Sequence, residues 1–585
     1  NPLGRWGFES YTDEDEAADA LTELERWMGI HSHTSIFVDK PRWLFIETAQ
    51  ESEGRHLLYI VDFSGLKMPL IQQTNEITVT YDVPDGMKLT SAVKFDPWNT
   101  DVTLAPIKKG NLIYEMKFSI ERFTVIELTL APEEKTQDKP IGTLVFADSL
   151  REEAAVSGLA FVLGKMRDPS LPEPWRYGVW TNVIDSGLNP ERYAYGHMMT
   201  SEHMGLLLQT AACMGDKKAF EESLMFLRNL MFSQDYHVVN WAMNPVKKLP
   251  VLQQDVEGEP WRNGNAPLDD FRIVKGLLQG ANTFGNVEAE TLAGEILRGL
   301  YWTSVTDRDR DDEKDFPEYA GGLIGYAWNW EGTDDDSLSP HSRATGIGEL
   351  DIDLIPIDYQ DLEAIGKAVE IYPLWSTVFV SSLKLLLDAE IAIGGKPSGL
   401  FWNGLDNEKM QFTGDFENPD NNKGMNLKVI QILWTAISLA QATESQSDIL
   451  DIEMKKASLE AAGRTLHFFK TFYGVYGRIP EYLTPEGLDV PDCTPTVSGC
   501  LEKELDNLFE GEARIYTLAA RLALILSDGE FASKLIEDKI LTDRIADPSH
   551  PFYGQIGVST ANENDAEAWN VLESVLTICQ EASFK

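Results

Sequence analysis

Apolar residues recur along this chain with two different periods, and the change between them falls near residue 150. From about His31 to Ser149 the runs are short, β-branched and aromatic, as in Ser35-Ile-Phe-Val, Trp43-Leu-Phe-Ile, His56-Leu-Leu-Tyr-Ile-Val, Glu76-Ile-Thr-Val-Thr-Tyr and Thr124-Val-Ile-Glu-Leu-Thr-Leu. Gly, Pro, Asp and Asn separate them, which predicts an antiparallel β-domain, most simply a sandwich, over residues 31–150. An acidic segment with a short helical pattern from Ala17 to Met28 occupies residues 1–30. No chemical motif stands in this part, so packing or carbohydrate binding is its default role.

After about Glu152 the apolar positions follow helical spacing to the end of the chain. Helices are predicted to start near Thr200, Lys217, Leu268, Val287, Asp358, Leu374, Gly424, Ile452, Gly511, Glu530 and Asn564. They come as hairpins, with the longer loops after every second helix. That order predicts a mainly α fold, an (α/α)6 toroid over residues 151–585 preceded by the β-sandwich. The starts near 200, 268, 358, 424, 511 and 564 form the inner ring, with their N-termini lining one end of the barrel.

Two of the inner starts, in the middle of the chain, carry the acids of most interest. Tyr195-Gly-His-Met-Met-Thr-Ser-Glu202-His-Met-Gly opens one, and Ala266-Pro-Leu-Asp269-Asp270-Phe-Arg272-Ile opens the other. The carboxylates fall in the first turn and the rest of each helix is core. Two carboxyl groups brought to one cleft by separate elements are what glycoside hydrolysis needs. One protonates the leaving oxygen and the other acts on the opposite face of the sugar. A first-turn position favours an anion by a few tenths to ~1 kcal/mol, whereas a general acid must keep its proton. Burial and a second carboxylate within about 4–6 Å reverse the balance, and Asp269 is the candidate perturber of Glu202. Each acid also has a plainer reading, as charge complementing a helix dipole. Arg272, Tyr195 and Trp241 are candidate substrate contacts; Tyr193, Trp328, Trp330 and Trp402 either stack on sugar rings or belong to the core.

Thr200-Ser-Glu-His-Met-Gly, followed by Ala-Ala-Cys-Met-Gly-Asp-Lys-Lys-Ala-Phe, resembles the acid-bearing helix hairpin of glycoside hydrolase family 8. That family includes bacterial endoglucanases and exopolysaccharide-degrading relatives. Asn240-Trp-Ala-Met-Asn looks like its next strand-like segment, Ala266-Pro-Leu-Asp-Asp-Phe-Arg-Ile resembles its second acidic helix start, and Ile357-Asp-Tyr359 occupies the place of a tyrosine motif. The resemblance implies that Glu202 is the general acid. It also implies that Asp269 is the sugar-distorting carboxylate, with Asp270 the neighbouring choice, and that Tyr359 contacts substrate. The family's base motif, Asp-Ala-x-Arg, is missing. By hairpin count the base falls within Asp415-Phe-Glu-Asn-Pro-Asp420-Asn-Asn-Lys423, where Asp420 is the nearest match and Asp415 and Glu417 are reserves. Glu512 looks similar but sits one inner helix too late. A base about 6.5–9.5 Å from the acid leaves room for a water and predicts inversion of configuration. The rival readings are a different helical-toroid sugar enzyme, such as an unsaturated-uronide hydrolase, and a non-catalytic polysaccharide-binding or secretion-assembly protein.

Composition narrows the partners. The 94 acidic against 50 basic residues, a formal charge of −44, work against a nucleic-acid partner. No apolar run is long enough to span a bilayer. An extracytoplasmic location is the expectation, with any signal peptide or anchor removed from a chain that begins at Asn1. Cys213 and Cys579 lie in apolar helical patterns and read as inert core thiols; Cys493 and Cys500 bracket a short loop that a local disulfide can close. No cofactor or metal is predicted. His197 and His203 are six apart, a spacing that puts them on different helical faces. The loop from Asp307 to Glu318 has acids at calcium-loop positions but lacks the required glycine, and reads as a solvated acidic loop.

Overall fold

The computed structural model describes nine strands between Ile36 and Pro132, and residues 144–181, 198–233, 237–245, 248–250, 265–306, 316–327, 350–351, 354–406, 410–414, 426–445, 450, 452–488, 513–557 and 568–583. The chain divides into two compact units, one of residues 1–139 with 370–372, the other of residues 140–369 and 373–585.

The first unit holds two antiparallel sheets where a sandwich was predicted. One contains β2 (Leu44–Ser52), β3 (Arg55–Asp62), β9 (Phe123–Pro132), β5 (Met87–Phe95) and β6 (Val102–Leu104), in that order. The other orders β1 (Ile36–Val38), β4 (Glu76–Asp82), β8 (Ile113–Ser119) and β7 (Ile107–Lys108). Alternation sets the inner face of β9, where Ile126, Leu128 and Leu130 are buried while Thr129 is exposed. On β5 the buried residues are Leu89 and Ala92, three apart rather than two. A register shift against β9 between Leu89 and Ser91 absorbs the extra residue and returns both side chains to one face.

The second unit is helical, with twelve α-helices among the described residues. These are α1 (Ser149–Lys165), α2 (Ser201–Met214), α3 (Lys217–Phe226), α4 (Pro267–Phe284), α5 (Val287–Thr303) and α6 (Leu362–Ile371). They continue as α7 (Trp375–Asp388), α8 (Val429–Ser445), α9 (Ile452–Tyr476), α10 (Ala513–Ile525), α11 (Gly529–Leu535) and α12 (Ala568–Ser583). The hairpins are cut by one repeated device. Gly215 (φ 70°) ends α2 in the left-handed region and Asp216 caps α3 by accepting from Ala219 N; Gly285 (φ 64°) and Asn286 do the same between α4 and α5.

The even-numbered helices close into a ring through successive contacts. Gln209 of α2 donates to the carbonyl of Arg272 on α4 at 2.9 Å. Lys275 of α4 pairs at 2.6 Å with Asp361, which caps α6 by accepting from Ala364 N. Ser438 of α8 accepts from Leu362 N at the start of α6. Arg521 of α10 lies over the Trp434 ring of α8 and pairs with Glu573 of α12. Thr210 of α2 donates to the Leu572 carbonyl, and a disulfide joins Cys213 of α2 to Cys579 of α12. The last contact corrects the reading of both cysteines as free core thiols. They face each other from the first and last inner helices, 366 residues apart in sequence, with Cα atoms 6.2 Å apart. Cys493 and Cys500 lie outside the described residues, as do residues 1–30 and the acidic loop at 307–315.

The predicted starts of the inner helices are met within a few residues. One outer helix, α1, was not among them. Its apolar stripe is broken, since Leu150 and Val156 are 45 % and 54 % exposed while Arg151 and Ser157 are buried. Arg151 is held by Glu581 of α12 at 2.7 Å and by Glu537 at 2.9 Å. Packing against α12 overrides the pattern, and a Cβ on Gly158 would stand only 2.7 Å from Val575.

Candidate active site

Glu202 and Asp269 meet because α2 and α4 run parallel and pack closely just beyond the turns that carry them. A Cβ on Gly205 would come within 2.9 Å of the Arg272 Cβ, and one on Gly276 within 2.7 Å of the Leu208 Cβ. Two glycines, one on each helix, therefore set the spacing. Thr200 caps α2, accepting from His203 N, which places Glu202 in its first turn. Pro267 opens α4 and puts Asp269 and Asp270 in its first turn.

The guanidinium of Arg272 ties the two acids together. Its Nη1 donates to Glu202 Oε1 at 2.8 Å and to Asp269 Oδ1 at 2.6 Å. The arginine is 3 % exposed, the Asp269 side chain 15 % and that of Glu202 30 %. Glu202 is thus the acid with the most access to solvent. Beneath the cluster, Arg272 Cζ stands 4.6 Å from the centre of the Trp434 ring. Ser201, fully buried, has its hydroxyl oxygen 3.0 Å from Asp269 Oδ2 and 3.0 Å from the carbonyl oxygen of Trp241.

Asp269 is the deeper of the two acids, and burial together with the charge of Glu202 pushes its carboxyl up from 3.8 to about 7, against the pull of Arg272 and Ser201. His203, next to Glu202, is buried with its ring nitrogen bonded to Thr200, and burial drives it down to about 4. It is a neutral imidazole at pH 7.

Asp270 is corrected. It was the neighbouring candidate for substrate binding, but it is fully buried, turned away from Asp269 and bonded at 3.0 Å to Asn265, which also donates to Ser304. Desolvation raises its carboxyl well above the ordinary value. Arg272, expected to contact substrate, is 3 % exposed and its Nη1 is taken by the two acids. Trp241 contributes its backbone to anchoring Ser201, while its ring packs against Met198 and Ala242. Tyr359 lies just before α6 and is partly buried. Tyr195 and every base candidate, Asp415, Glu417, Asp420 and Glu512, lie outside the described residues. Tyr193, His197, Trp328 and Trp330 do too, while Trp402 is half-buried. No group of acids, histidines or cysteines suited to a metal occurs among the described residues.

Trp434 was missed. It sits inside the apolar run of α8, where nothing marks it as more than core. The available signal was on its partners, since arginines inside apolar helical runs, Arg272 and Arg521, must find buried acceptors or aromatic faces.

No family model and no curated protein matches this chain. The solved structures similar to it are mostly family 8 endoglucanases and related glycoside hydrolases. One is described as a novel alpha-amylase, from Clostridium perfringens, at 15% identity and a TM-score of 0.49, covering 73% of this chain and 97% of that one. A family 8 endoglucanase from Klebsiella pneumoniae is 12% identical over 73% of this chain and 99% of its own, with a TM-score of 0.40. A family 8 xylobiose complex from Teredinibacter turnerae is 11% identical over 76% and 94%, with a TM-score of 0.44.

Proposed function

We propose that this chain is an inverting glycoside hydrolase that cuts internal β-linkages of a polysaccharide, an exopolysaccharide or a β-glucan, outside the cytoplasm. The observation that carries the reading is the sharing of one arginine nitrogen by Glu202 and Asp269, acids supplied by the first turns of two adjacent inner helices. Two carboxyl groups against one guanidinium leave one negative charge in excess, so near neutrality the pair can hold a proton. In this reading Glu202, the more accessible acid, protonates the leaving oxygen. Asp269 holds the sugar in its reactive shape, Tyr359 contacts substrate, and an aspartate of the 415–423 segment, Asp420 first, activates the attacking water.

The disulfide between Cys213 and Cys579 supports folding in an oxidising compartment. The N-terminal β-domain, read as a sandwich, has a packing or carbohydrate-binding role. Reducing-end release on a panel of β-glucans and amino-sugar polymers tests the activity. Proton NMR of the first-formed anomer tests inversion. Glycan binding without any release favours the non-catalytic polysaccharide-binding alternative, and a retained anomeric configuration overturns the water-activating base.

A further inference from the structure

The Ser201 hydroxyl has one proton and two acceptors at equal distance, the Asp269 Oδ2 and the Trp241 carbonyl, each 3.0 Å away. The Trp241 carbonyl already accepts the Ser201 backbone N–H at 2.8 Å and has a second lone pair to offer. Both acceptors cannot receive the same hydrogen fully. When Asp269 is ionised, the hydroxyl turns to the carboxylate. When Asp269 is protonated, its own O–H donates to the Ser201 oxygen and the serine proton turns to Trp241. The hydroxyl, the Asp269 Oδ2 and the Trp241 carbonyl are each satisfied in either state, which is the condition for a buried group to change charge at low cost.

We propose that Ser201 is a positioning residue, a rotor that lets Asp269 gain and lose a proton in place and so sets the pH at which the acid pair changes charge. The catalytic use of that proton rests on the hydrolase reading above; the rotor does not. Among the described residues, the charged groups around Asp269 are Glu202 from α2 and Arg272 and Asp270 from its own helix, while Glu573 acts on Arg272 and His203 feels both Glu202 and Arg272. None of these has the two-way geometry of the serine. The remaining Asp269 oxygen is fixed on Arg272 at 2.6 Å, so the change of partner falls on Oδ2 alone.

Infrared titration of the whole chain reads the protonated carboxyl directly. The band removed by Asp269→Asn is the reporter, and its midpoint in the unsubstituted chain is expected near 7. Ser201→Ala removes the donor to the ionised form and the acceptor of the protonated one; the bond to the charged form is the stronger, so the midpoint rises by about one pH unit. Ser201→Thr keeps the hydroxyl and returns the midpoint close to its starting value. If the threonine variant does not fold, the alanine variant decides alone. On any glycan that is cleaved, the corresponding limb of the pH–rate profile moves with the infrared midpoint. A chain that cleaves nothing sinks the hydrolase reading and leaves the infrared midpoints to judge Ser201. An unmoved midpoint in Ser201→Ala, or no carboxyl band that Asp269→Asn removes, overturns the proposal.

Discussion

Two buried arginines approach the ring of Trp434, and they are neutralised in different ways. Arg521, 5.3 Å from the ring centre, meets one carboxylate, that of Glu573, at 2.8 Å, and both side chains are sealed from solvent. Arg272, at 4.6 Å, meets two, and one of them opens to solvent. The first pair is balanced and closed to solvent; it joins α10 to α12 and fixes one place in the ring. The second is one negative charge over, so it must bind a proton or tolerate repulsion, and its accessible carboxyl can reach a ligand. Within one layer of the same ring, stoichiometry and exposure separate a structural ion pair from a candidate acid pair.

The largest expected effect is on the balanced side. Arg521→Met strands Glu573 in a site with no solvent access and costs about 3–5 kcal/mol by chemical denaturation. Arg272→Met costs less, about 1–3 kcal/mol, because Glu202 keeps contact with water and Asp269 can take a proton. Equal losses would break the distinction. Cys213→Ser removes the bond between the helix that carries Glu202 and the helix that carries Glu573, and lowers stability by about 2–5 kcal/mol, read as a fall in Tm.

Gly205→Ala forces a Cβ against Arg272 and costs about 1–3 kcal/mol of stability. On the hydrolase reading it also slows turnover by up to ~100-fold, the effect of displacing reacting groups by about 1 Å. A variant with full activity would show that the close approach of α2 and α4 is not needed.

A pH dependence also follows from the raised Asp269 carboxyl. Asp269 takes up its proton near 7 in the folded chain and near 3.8 when unfolded, so between these values the folded state binds more protons. Folding stability therefore falls as pH rises through that window, by on the order of a few kcal/mol at most. Asp269→Asn lacks this fall, and the two denaturation profiles diverge between about pH 4 and 7. Parallel profiles would contradict the raised carboxyl.

Helix starts were readable because the chain writes them locally. Gly215-Asp216 and Gly285-Asn286 end one helix and cap the next within two residues, and the apolar period does the rest. Glu202 and Asp269 were readable because a carboxylate at a helix start is a short-range signal. What escaped depends on rotation or on long range. Asp269 and Asp270 are adjacent in sequence, yet about 100° of helical turn sends one to Arg272 and the other into the Asn265 pocket. The disulfide joins residues 366 positions apart, and the apolar patterns around Cys213 and Cys579 gave no reason to pair them. Gly205 and Gly276 were visible only as small residues until both proved to face the neighbouring helix.

The central claim is that the carboxyl at position 202 is the proton donor to a departing sugar. Steady-state cleavage of the best glycan by the native chain and by Glu202→Gln tests it most directly, with circular dichroism to establish that the fold is kept. The account predicts a loss of about 10²–10⁴-fold in kcat with little change in KM. Turnover by the glutamine variant at the native rate would contradict it.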